Sequence, residues 1–206
     1  MTEPRRALIV VDVQNEYFNG PLEIQYPPRD ESLANIHQII ETAEENGLPV
    51  ALIEHQYEEG FPVFAPGSEG QRSHSEIESR VGDAWHRVTK NYSSVFPETG
   101  LEDWLKSHNV DTITLVGYMT NNCILATAVD AEPRGVTVEV LSDATGAINL
   151  SNEAGSAPAK QVHETLMALL NSNFATVATT AAWNSAVSGK EPLPGSNLLA
   201  SATGSK

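Results

Sequence analysis

Apolar positions along the chain follow two alternating periods. Short continuous runs, beginning with Ala7-Leu8-Ile9-Val10-Val11, have the composition of strands buried on both faces of a parallel sheet. Between the runs, apolar residues recur every three or four positions. From 31 to 46, Leu33, Ile36, Ile39, Ile40 and Ala43 form one stripe of an amphipathic helix, and Gly47 follows where a C-terminal cap belongs. Further strands are predicted over 49–53, 85–89, 112–118, 136–141 and 174–179, with helices over 100–108, 123–134 and 159–171.

Strands alternating with helices predict an α/β fold: a six-stranded, mostly parallel sheet in a three-layer α/β/α, Rossmann-like arrangement. Residues 56–83 break the pattern. They are rich in Gly, Pro, Ser, His and Glu, and a loop this long in a compact domain usually serves function. After Trp183 the composition drifts to Ser, Ala, Gly and Pro. One domain is therefore expected over 1–183, and a tail over 184–206 that is either mobile or laid across a neighbouring subunit.

Composition narrows the function classes. At 206 residues the chain can bury roughly 70% of its unfolded surface in one core. With 27 acidic against 12 basic residues and a net charge of −15, it carries no basic face for nucleic acid. No run approaches the ~20 apolar residues of a membrane span, and Met1-Thr2-Glu3-Pro4-Arg5-Arg6 lacks a secretory pattern, so a cytoplasmic location is expected. The single cysteine forms no internal disulfide, and no Gly-x-Gly-x-x-Gly, Walker loop or Gly-x-Ser-x-Gly elbow is present. No cofactor is called for.

Ligands of doubly wound sheets bind beyond the carboxyl ends of the strands. Three chemically able residues fall at such ends: Asp12 after the first strand, Lys90 after the third and Cys123 after the fourth. Taken singly, Asp12 is also a turn residue, Lys90 a surface lysine and Cys123 a small buried apolar group. Their coincidence points instead to a nucleophile with a base and a cation. At the start of a helix, Cys123 is expected to favour thiolate.

The segments Ala7-Leu8-Ile9-Val10-Val11-Asp12-Val13-Gln14-Asn15-Glu16-Tyr17-Phe18, Lys90-Asn91-Tyr92-Ser93-Ser94-Val95-Phe96 and Gly117-Tyr118-Met119-Thr120-Asn121-Asn122-Cys123 closely resemble the isochorismatase-like cysteine hydrolases, over roughly residues 6–183. The resemblance implies a catalytic triad of Asp12, Lys90 and Cys123. It further implies an oxyanion hole from the backbone N–H groups of Met119 and Cys123, a cis peptide between Tyr118 and Met119, and a homo-oligomer. Isochorismatases that cleave vinyl ethers lack the cysteine, so Cys123 implies a C–N hydrolase acting on a small amide, carbamoyl or lactam compound; the alternatives are an isochorismatase-type hydrolase or a non-catalytic binding or scaffold protein. Nicotinamidases of this group bind a divalent ion through an Asp-x-His after the second strand and further histidines. Here His55 and Tyr57 occupy the Asp and His positions and His74 alone matches, which implies no metal. His55 and His74 then order the loop or line the pocket, and His163 is a structural histidine or an oligomer contact. Phe18, Trp85, Tyr92 and Tyr118 are the remaining pocket candidates; Phe18 and Trp85 fit a plain core equally well.

Overall fold

A computed structural model describes residues 3–204. Positions 1–2 and 205–206, and with them part of the N-terminal segment and the last residues of the tail, lie outside the described residues. In chain order the elements are β1 (Arg6–Val11), α1 (Glu16–Asn19), α2 (Arg29–Glu45), β2 (Val50–His55), α3 (Ser75–Glu78), β3 (His86–Lys90), α4 (Leu101–Ser107), β4 (Thr112–Tyr118), α5 (Leu125–Ala131), β5 (Thr137–Gly146), β6 (Leu150–Asn152), β7 (Gly155–Ala157), α6 (Ala159–Leu169), β8 (Thr176–Ala178), α7 (Thr180–Gly189) and α8 (Leu198–Thr203).

Six strands form one sheet in the order β3-β2-β1-β4-β5-β8, every neighbouring pair parallel; β6 and β7 make a separate antiparallel ribbon. Alternate residues of β1 feed two cores. Leu8 and Val10 pack with Ile36, Ile39 and Ile40 of α2 and Trp183 of α7. Ala7, Ile9 and Val11 pack with Leu101 and Leu105 of α4, Ala128 of α5 and Met167 of α6. Helices on both faces explain why the strands read as continuous apolar runs. Trp183 lies within α7, which runs on to Gly189, and Leu193 beyond it is buried. Among the described residues no helix is long and apolar enough to cross a membrane.

Strand order reverses between β1 and β4, and the register there is tight: Val11 pairs with Ile53 on one side and Gly117 on the other. Gly117 has φ +103, and a Cβ added to it would stand 2.0 Å from the carbonyl oxygen of Val11. Only glycine fits the last turn of β4 against β1. Gly117→Ala is expected to destabilise the protein by more than about 3 kcal/mol, read from its urea midpoint. An unchanged midpoint would show that the strand ends carrying Asp12 and Cys123 are not held this way.

Candidate active site

Asp12 is the first residue after β1. Its backbone turns into the left-handed region at φ +49, which aspartate tolerates, while its N–H still donates to Ile53 O at 2.9 Å. Lys90 is the last residue of β3 and pairs in register with His55. Cys123 lies in a single wide π-type turn (Thr120–Ile124) that follows β4, and α5 begins only at Leu125. The cysteine is therefore not in the first turn of an α-helix, because the chain makes one wide turn before settling into regular helix. His163 of α6 holds that turn. Its Nε2 donates to Ser142 O at 2.9 Å and its Nδ1 lies 2.9 Å from the Thr120 hydroxyl, and burial pushes its pKa down, in keeping with a neutral structural histidine.

The topology brings the three residues together at the switch point. Asp12 is 0% exposed, Lys90 1% and Cys123 1%. Lys90 Nζ lies 2.7 Å from Asp12 Oδ2 and donates to Cys123 Sγ at 3.3 Å and to Tyr92 O at 3.1 Å. The Asp12 carboxylate stands close enough to the Cys123 thiol to act on its proton affinity. Around Nζ, burial works against the charge, but Asp12 and Cys123 outweigh it and Lys90 is held above its ordinary pKa. Cys123 moves the other way from the thiolate expectation. Burial first, and the Asp12 charge second, push its thiol well above the usual range, and Lys90 only partly offsets them. Burial and Asp12 therefore favour the thiol over the thiolate.

Aromatic rings close the site. Tyr17 of α1 packs on Phe64 at 5.3 Å and on Tyr118 at 5.6 Å, and its phenol is pushed up by burial and then by Cys123 and Asp12. Phe18 meets Tyr118 edge-on at 5.7 Å. Tyr118 is fully buried, bonded through its hydroxyl to Ser32 Oγ at 2.8 Å, and the peptide between it and Met119 is cis. Tyr92 reaches the site only through its carbonyl; its ring is 48% exposed. Trp85 is a correction. It precedes β3, so the five residues His86–Lys90, each rising about 3.3 Å, separate it from Lys90, and its indole donates to Glu44 at the opposite end of the sheet. Tyr17, Phe64 and Gln14 were missed: an aromatic residue reads the same in a core or a site, and Gln14 acts through backbone atoms 41 residues away. Beside the buried group, Gln56, Tyr57, Phe61 and Asn91 line a cleft of about 650 Å³.

The donor set does not fit a nicotinamidase-type metal. His55 Nδ1 faces the Lys90 ammonium at 3.0 Å, and His74 lies against the Phe18 ring at 4.3 Å. Among the described residues no three His, Cys, Asp or Glu side chains converge on one point.

Residues 6–182 match the Isochorismatase domain. The chain belongs to the isochorismatase family. An isochorismatase-type protein of Burkholderia xenovorans LB400, known from its crystal structure, superposes with a TM-score of 0.95 at 43% identity, covering 98% of this chain and 97% of that one. The isochorismatase family protein YddQ of Bacillus subtilis is 31% identical over 179 residues, 86% of this chain and 97% of its own. Streptothricin hydrolase of Streptomyces noursei is 32% identical over 143 residues, 68% of this chain and 54% of its own. The isochorismatase-family protein described here is thus a hydrolase by family, with a three-layer α/β/α fold.

The raised thiol sets the sign of two outcomes. Iodoacetamide labelling of Cys123 should be slow at neutral pH and keep rising above pH ~8.5, where an ordinary thiol levels off. Asp12→Asn removes the charge that holds the proton on sulfur and should speed labelling about tenfold or more at fixed pH, while Lys90→Met should slow it. Faster labelling in the lysine variant than in the aspartate variant would reverse the assignment.

Proposed function

We propose that this protein is a cysteine hydrolase that cleaves the C–N bond of a small amide, carbamoyl or lactam compound through a thioester on Cys123. The observation that carries the reading is the mutual contact of one thiol, one carboxylate and one ammonium, all buried, at the switch point of the sheet and next to a cleft. A relative named as a streptothricin hydrolase supports hydrolytic chemistry in this family branch.

Sγ attacks the carbonyl carbon as its proton passes to Asp12, a carboxylate that no backbone N–H holds among the described residues. Proton transfer out of a thiol held up by Asp12 itself is concerted with attack, so no free thiolate waits in the resting site. The Lys90 ammonium keeps the pair from carrying uncompensated negative charge. The backbone N–H groups of Met119 and Cys123 are assigned to the oxyanion. Collapse of the tetrahedral intermediate breaks the C–N bond, and Asp12 returns the proton to the departing nitrogen. Water then attacks the thioester and gives a proton to Asp12; the C–S bond breaks, Asp12 returns that proton to sulfur, and the acid leaves.

Cys123→Ala should lower amine release from a panel of small amides, carbamoyl compounds and lactams by more than about 10³-fold with the fold retained by circular dichroism, and chelation should change nothing. Full activity in the alanine variant, or loss on chelation, would overturn this function.

A further inference from the structure

His55 occupies an unusual place in this site. It closes β2 opposite Lys90, its side chain is buried, and its Nδ1 lies 3.0 Å from Lys90 Nζ. An ammonium has donors only, so Nδ1 must present a lone pair and the ring proton must sit on Nε2. The ring cannot easily turn away. Its edge meets Tyr57 at 4.4 Å and Phe64 at 5.3 Å, both close to perpendicular. Gln14 grips the backbone of the same residue from both sides: Oε1 accepts from His55 N and Nε2 donates to His55 O, each at 2.8 Å. Gln14 is itself fully buried and follows Asp12 by two residues, so one side chain ties the His55 position to the Asp12 loop.

We propose that His55 is a positioning residue that holds the Lys90 ammonium between Asp12 and Cys123 by accepting one of its three protons as a permanently neutral imidazole. The inference rests on reading Asp12, Lys90 and Cys123 as the reacting group. Four acceptors surround Nζ, at 2.7 Å from Asp12, 3.0 Å from His55, 3.1 Å from Tyr92 O and 3.3 Å from Cys123 Sγ. Three protons serve these four acceptors, so the neutral imidazole and carbonyl compete with Asp12 without adding charge, and one proton is shared with sulfur as negative charge develops there. A carboxylate in place of the imidazole would compete for that charge. The charged and titratable groups facing the ring are Lys90 of β3, Asp12 after β1 and Tyr57 of the following loop. Burial and the neighbouring ammonium hold His55 down to about 4 against the pull of Asp12, in keeping with a neutral ring at every working pH.

Two readouts test the proposal without a substrate. In ¹⁵N spectra of the intact protein, His55 should show a protonated Nε2 and a bare Nδ1, with no titration between about pH 5 and 8. A protonated Nδ1, or titration in that range, overturns the assignment whatever the chemistry of Cys123. In the second, iodoacetamide labelling of Cys123 is followed against pH in His55→Phe, which keeps the ring contacts and loses the acceptor, and in His55→Asn, whose Oδ1 falls where Nδ1 stood. The phenylalanine variant should label at least tenfold more slowly at fixed pH, with its alkaline limb displaced upward; the asparagine variant should stay within threefold of wild type. Wild-type labelling in the phenylalanine variant, or equal loss in both, shows that the ring serves packing alone. Failure of the Cys123→Ala assay would sink the proposed function and leave these two results standing as statements about Lys90.

Discussion

A single ion pair, Lys90 to Asp12 at 2.7 Å with both side chains sealed from water, governs the architecture of this end of the sheet. Two charges taken out of solvent cost several kcal/mol each unless geometry and additional hydrogen bonds compensate them. The chain meets that demand with backbone that cannot slip. Asp12 bends into the left-handed region while still bonded to β2, and Gly117 lets β4 approach β1 to a distance no side chain tolerates. His163 pins the turn that carries Cys123, and Tyr92 offers its carbonyl to the ammonium.

The same burial bears on the chemical state of Cys123. Burial and the Asp12 charge both favour the protonated thiol, and the ammonium paired with Asp12 offsets this only in part. The rings of Tyr17, Phe64 and Tyr118 pack on one another beside this group. Phe64 belongs to the long loop between β2 and β3, so the segment with the weakest periodicity in the sequence supplies one wall of the site and, through Tyr57 and Phe61, the lining of the cleft beside it.

Strands β1, β2 and β4 are legible because a strand covered on both faces has no polar positions to disguise it. The extension of β5 through Ser142-Asp143-Ala144-Thr145-Gly146 is not, since its polar residues mimic a loop, and the β6–β7 ribbon is short, mostly exposed and local. β8 shrinks to three residues because a wide turn at the end of α6 consumes Phe174. Asp12, Lys90 and Cys123 stand out as reactive types at strand ends and through the family motifs. The state of the thiol does not, because it depends on how completely the site is dried. Trp85 misleads for a related reason: residue type marks a ring as pocket-forming, and only strand direction shows that it lies at the far end of the sheet. His55 is visible as a type, yet its bond to Lys90 depends on which ring atom faces the neighbouring strand.

The chain contains one cysteine, so its S–H stretching band in the infrared belongs to Cys123 alone. Recording that band in the resting protein at neutral pH tests the central claim most directly. A clear S–H band, lost only on strong alkalinisation or in Asp12→Asn, is the predicted result. Its absence at neutral pH would mean a resting thiolate–ammonium pair, and Asp12 would then lose its place as the group that takes the proton during attack.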